Sequence, residues 1–118
     1  MRRHACAVIA ALSLAWAPPA LADARSDAKS QVEFGIAVAQ KGLWKEALYR
    51  WLRAVEIDPT YAAAFNNLAI AYEQSGQFDK AREAYEKAVT LEPDNQLIRQ
   101  NYDLFKEIND RSSRDNDR

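Results

Sequence analysis

Glycine and proline are scarce, three and four in 118 residues, so the chain lacks the turn residues that a β-sandwich or barrel places at every corner. Cysteine and histidine occur once each, as Cys6 and His4. A single cysteine excludes an internal disulfide, and beyond residue 6 there is no thiol or imidazole for nucleophile-and-base catalysis. No apolar run reaches the roughly 20 residues that a membrane-spanning helix needs. Nor is there a basic stripe: the formal net charge is -1, which argues against nucleic acid or an anionic membrane surface as a partner. What is present in quantity is apolar and charged residues, 48% and 28%, the balance of an ordinary globular chain. A helical domain is the expected class.

The first 22 residues stand apart. "MRRH" is a short basic start, "ACAVIAALSLAWA" an apolar stretch interrupted by Pro18 and Pro19, and Ala20-Leu21-Ala22 a small-x-small cleavage pattern. Residues 1–22 are read as a cleavable export signal, cut after Ala22, with an uncleaved anchor as the alternative. The pair Arg2-Arg3 lacks the surroundings of a twin-arginine signal, and Cys6 lies too early for a lipoprotein cysteine, so no membrane association beyond export is expected. Loss of Arg2 and Arg3 leaves 14 basic against 17 acidic side chains, a net charge of −3, and removes Cys6 and His4. Such a chain suits an oxidising compartment, the periplasm or the cell exterior, without needing a disulfide.

"EALYRWLRAVEIDP" at 46–59 is followed 34 residues later by "KAREAYEKAVTLEP" at 80–93. Over residues 28–61 and 62–95 the same offset aligns Ile36 with Ile70, Gly42 with Gly76, Ala47 with Ala81, Ala54 with Ala88 and Pro59 with Pro93. A 34-residue period with a break inside it is the mark of a helical solenoid. Apolar residues fall at i, i+3, i+4 and i+7 within each half, as in Ala47, Leu48, Trp51, Ala54 and Val55. Gly42 and Gly76 sit where the first helix of each unit must stop, and Pro59 and Pro93 where the second ends.

The second unit, Phe65-x2-Leu68-Ala69-x2-Tyr72, Gly76-x-Phe78, Ala81-x3-Tyr85-x2-Ala88-x4-Pro93, resembles the tetratricopeptide repeat at almost every motif position. The first unit, with Phe34-Gly35-x2-Val38, Gly42-x-Trp44 and Ala47-x3-Trp51, resembles it with one lapse, Gln31 where a large apolar residue is usual. The resemblance runs from residue 28 to about 108. It implies an all-α solenoid of two repeats, 28–61 and 62–95, after a polar leader at 23–27. A capping helix at 96–108 then precedes a disordered polar tail at 109–118. Asp103 stands where the earlier units have Gly35 and Ala69, which is tolerable only if no partner helix follows.

The resemblance also implies a non-enzymatic binding or scaffolding module that takes a protein or peptide partner along the groove lined by the first helix of each unit. The groove candidates are Val32, Ile36, Asn66, Asn67, Ile70, Glu73, Asn101 and Leu104. Ile36, Ile70 and Leu104 would supply apolar contact, and the asparagines hydrogen bonds to a peptide backbone. Val32, Ile36 and Leu97 replace residues that a clamp for a C-terminal carboxylate would need, so that ligand is not expected. A second candidate surface is Leu48, Tyr49 and Leu52, whose counterparts in the second unit are charged. It suits self-association into a homo-oligomer or the docking of a structural partner. No phosphate loop, dinucleotide motif or metal-ligand spacing is present, so no catalytic residue, cofactor or metal is expected. Glu46 with Arg50 and Glu83 with Lys87 are i, i+4 surface pairs rather than catalytic carboxylates.

Overall fold

The computed structural model describes residues 19–118, and the apolar stretch read as an export signal lies almost wholly outside them. Five helices follow one another: α1 (Pro19–Ala39), α2 (Trp44–Ile57), α3 (Ala62–Gln74), α4 (Phe78–Leu91) and α5 (Gln96–Asn116). No strand occurs among the described residues. No helix among them is long and apolar enough to cross a membrane.

The glycines stop the first helix of each pair as their positions suggest. Gly42 and Gly76 have φ of 78° and 72°, a region costly for any residue with a Cβ. The reversed backbone lets the Leu43 N–H reach the Val38 carbonyl at 3.0 Å and the Gln77 N–H reach that of Tyr72 at 2.9 Å. These closures satisfy carbonyls that the helix end would orphan. Asp58 and Glu92, each followed by proline, cap α2 and α4 with their N–H groups on Ala54 and Ala88. The Asn95 side chain starts α5 by accepting from the Ile98 N–H.

Each helix packs on the next, and α1 with α3 and α3 with α5 also touch. α2 and α4 do not approach each other. The layer formed by α1, α3 and α5 is therefore the closed, inner side of a curved array, and α2 and α4 splay on the outer side.

Alanine makes this close stacking feasible. Ala47, Ala54, Ala64, Ala69, Ala81 and Ala88 are all fully buried, and larger side chains there would push the helix axes apart. Trp51 and Tyr85 fill the centre of the two repeats. The Trp51 indole N–H donates to the Val32 carbonyl at 3.1 Å, so its polar edge is satisfied in the core. Tyr85, Tyr102 and Phe105 form an aromatic group joining α4 to α5, with ring centroids 5.4 to 6.4 Å apart.

α5 is the last helix among the described residues. Asp103 lies in solvent, paired with Lys106 at 3.3 Å, on the face that a following helix would have to cover. Two segments are more ordered than their composition suggests. The leader 23–27 belongs to the continuous helix α1, where Ala28 is fully buried and Arg25 reaches the α2–α3 turn. α5 continues past Ile108 to Asn116 instead of fraying at 109. Arg111 bonds Glu107 one turn back, and Asp110 faces Arg82 of α4 at 3.7 Å. These contacts supply the ordering that a segment without apolar residues cannot provide itself.

Candidate functional site

The inner layer carries a run of shallow concavities with Ile70 at its centre. The first, about 300 Å³, lies between α1 and α3 and is lined by Ile36, Ala39, Gln40, Trp44, Asn67 and Ile70, with Trp51 at its floor. The second, about 150 Å³, lies between α3 and α5 over Tyr85, with Ile70, Glu73, Asn101, Leu104 and Ile108 around it. A third of about 200 Å³ continues from Glu73 past Phe78, Phe105 and Ile108 towards Ser112. Ile70 belongs to the first two and Glu73 to the last two, so the three make one surface.

Its apolar lining is open to solvent. Ile36, Leu104 and Ile108 are 39%, 57% and 58% exposed, and Ile70 is half-buried between them. The structure thus brings together Ile36, Ile70, Leu104, Asn67, Asn101 and Glu73 of the residues named from sequence. Val32 and Asn66 leave the set: both are buried, at 4% and 6% exposure. Their place in the repeat faces the joint with the next unit, not the groove. Asn66 accepts a hydrogen bond from the Asn101 amide of α5 at 3.1 Å, and Val32 sits in the same buried cluster as Ala64 and Leu68. Asn67 donates to the Ala63 carbonyl of its own helix at 2.8 Å. The Asn101–Asn66 bond therefore ties α5 to α3, and the Asn67 amide is engaged within its own helix.

Several lining residues were not among the sequence candidates, Ile108 and Trp44 among them. Ile108 stands one helical turn beyond Leu104, and the spacing of Leu97, Leu104 and Ile108, with Asn101 between, is the helical stripe that identifies it. Trp44, a motif position of the first unit, packs against the core and also lines the first concavity, half-buried.

Glu73 is the one charged side chain of α3. Burial raises its carboxyl above the usual glutamate range, and the neighbouring Tyr85 hydroxyl works in the opposite direction. Tyr85 is pushed far above the ordinary phenol value, by burial first and then by the charge of Glu73.

The second candidate surface is less apolar than its sequence. Leu48 is half-buried against the core. Tyr49 and Leu52 are exposed, at 54% and 36%, with Leu43 a further exposed residue at 53%. Arg50 stands among them, its guanidinium 4.1 Å from the centre of the Phe34 ring and 5.5 Å from that of Tyr49, while its Nε bonds Glu46 at 2.9 Å. No group of three or more potential metal ligands occurs among the described residues.

Comparison with known proteins places this architecture. A tetratricopeptide-repeat model matches residues 62–95 and a second TPR-repeat model residues 35–76. Residues 35–95 are tetratricopeptide repeats. The solved structure of a MamA mutant superposes with a TM-score of 0.62 at 22% identity, covering 80% of this chain and 69% of that one. At that identity the likeness concerns the fold.

Among curated proteins, the small glutamine-rich tetratricopeptide repeat-containing protein 2 of Mycosarcoma maydis is 32% identical over 80 residues, 68% of this chain and 23% of that protein. The photosystem I assembly protein Ycf3 of Rippkaea orientalis is 29% identical over 82 residues, 58% and 47% of the two chains. The SPINDLY protein of Oryza sativa subsp. japonica, named a probable UDP-N-acetylglucosamine–peptide N-acetylglucosaminyltransferase, is 34% identical over 61 residues. That stretch is 52% of this chain and 7% of SPINDLY. The chain spans less than half the length of each of these relatives. Tetratricopeptide repeats are in general protein-interaction scaffolds, and it is this repeat that the relatives share with the chain.

Proposed function

We propose that the chain is a non-enzymatic interaction module whose concave surface, centred on Ile70, takes a peptide segment or a helix of a protein partner. The observation that carries this reading is the continuity of the inner surface. Ile36, Ile70, Leu104 and Ile108 come from three different helices, stay open to solvent and border adjoining concavities. A monomer gains nothing from such a strip, whereas an amphipathic helix or extended segment could bury it. We further propose that the module is exported to the bacterial periplasm or beyond, with residues 1–22 removed after Ala22. Removal there would start α1 at Asp23, an acidic residue suited to a helix N-terminus, and would keep Arg25 in place on Asp58.

Photo-crosslinking tests the surface. A crosslinking amino acid at position 70 of the exported protein should capture one partner through a single segment of that partner, and the same group at position 49 should not. N-terminal sequencing of the exported protein tests the processing, with Asp23 expected as the first residue.

A second reading has its own observation. Beside the half-buried Leu48, Tyr49 and Leu52 are exposed on the outer helix α2, where the second repeat has Glu83 and Glu86. On this reading the chain is a structural subunit that self-associates or docks through the first repeat, and position 49 becomes the one that crosslinks.

A further inference from the structure

We propose that the segment received by the concave surface carries a lysine or arginine between apolar residues, and that Glu73 receives its charge. This rests on the reading of the inner surface as the binding site and names the chemistry of its ligand.

Charge is sparse at the centre of the inner layer. The central helix α3, "AAAFNNLAIAYEQ", contains one ionisable carboxylate, at its last turn, and no basic residue. Its neighbours on the same side are partnered: Glu107 of α5 bonds Arg111, and Glu33 of α1 lies 4.0 Å from Lys29. Glu73 makes no ion pair among the described residues, and it sits where two concavities meet. Around it stand Ile70, Phe78, Leu104, Phe105 and Ile108. The Tyr85 hydroxyl beside it is neutral, so this half-buried carboxylate loses hydration without gaining a counter-charge.

A cation arriving with the ligand supplies that counter-charge, in a place less screened by salt than an exposed pair. An ammonium or guanidinium on a flexible apolar stem fits this arrangement, since its methylenes can lie against Ile70 and Leu104 while its head meets the carboxylate. An anionic group would face uncompensated repulsion. The burial that raises the Glu73 carboxyl agrees with a site awaiting a cation.

The probe is a displayed library of random dodecapeptides, selected on the full chain and, in parallel, on Glu73→Gln and Ile70→Lys, with folding of each checked by circular dichroism. The wild type should enrich peptides with one lysine or arginine flanked by apolar residues. A synthetic copy of an enriched peptide should bind Glu73→Gln at least tenfold more weakly. Exchanging its basic residue for glutamine should cost the same on the wild type and little on Glu73→Gln. This peptide-side substitution keeps the test decisive even if the protein variant misfolds.

Enriched peptides without a basic residue, or a basic peptide that binds Glu73→Gln as well as wild type, overturn the inference and leave the groove reading standing. Failure to enrich any family of sequences, or enriched peptides that bind Ile70→Lys unchanged, overturns the groove reading and the inference with it.

Discussion

Gly35 lies against the indole of Trp51, so close that a Cβ added at residue 35 would overlap the Trp51 ring. The glycine is in the interior of α1, where helix propensity alone would favour alanine by about 1 kcal/mol. Packing overrides propensity here. The tryptophan fills the first repeat because the facing helix offers no side chain, and its N–H reaches the Val32 carbonyl as a result.

Gly35→Ala should therefore destabilise the fold by about 1–3 kcal/mol, the usual cost of overpacking a close-packed core. Thermal melting of the variant measures it. In a Trp51→Phe background the penalty of the same change should shrink, because the smaller ring leaves room, and the difference between the two penalties is the coupling of the pair.

Gln31 occupies the place where the repeat motif carries a large apolar residue, and its amide oxygen is buried without a hydrogen-bond partner among the described residues. Such a group forfeits its hydration and gains nothing for it. Gln31→Leu should raise stability by about 1–2 kcal/mol, read as a higher melting temperature, with the far-ultraviolet spectrum unchanged. A lower melting temperature would mean that the amide has a partner after all.

Asp58 joins the N-terminal part of α1 to the turn between the repeats. Its Oδ2 accepts from the Arg25 Nε at 2.5 Å, and its Oδ1 accepts from the Thr60 hydroxyl at 2.6 Å and backbone N–H at 3.0 Å. Burial alone would raise its carboxyl, but the Thr60 hydroxyl, Arg25 and the Thr60 N–H together outweigh burial and hold it below the usual aspartate value. A depressed carboxylate stabilises the fold at pH above its unfolded value of about 3.9, and that contribution is lost as the pH falls through the folded value. Asp58→Asn should cost about 1–2 kcal/mol at neutral pH, towards the lower end for charged hydrogen bonds because Arg25 is half open to solvent. Chemical denaturation at pH 7 and at progressively lower pH should show the gap between variant and wild type closing in acid.

The sequence revealed whatever depends on local period. Gly42, Gly76, Pro59 and Pro93 marked the helix ends because each acts through its own backbone, and the alanines marked the close contacts by recurring at 34 residues. Contacts between distant residues were hidden. "DARSD" at 23–27 reads as a polar leader because Arg25 finds its carboxylate, 33 residues away, only once α1 lies across the α2–α3 turn. The tail is a similar case, since Asp110 faces an arginine of α4. Val32 and Asn66 are one 34-residue step apart and so form one row along the repeat, which the sequence reading places in the groove. The row turns inward because successive inner helices touch along it, as the bond from Asn101 to Asn66 shows.

The most direct test of the account is partner recovery by Ile70→Lys, compared with wild type and with Leu52→Lys, all expressed at equal level and shown to melt cooperatively. Ile70 is half-buried at the edge of the core, and a lysine there can raise its charge into solvent while placing it across both adjoining concavities. Ile70→Lys should lose at least tenfold in partner recovery, about 1.4 kcal/mol or more of binding, and Leu52→Lys should keep it. Retention of the partner by Ile70→Lys together with its loss in Leu52→Lys would contradict the account and move the binding surface to the outer face of the first repeat.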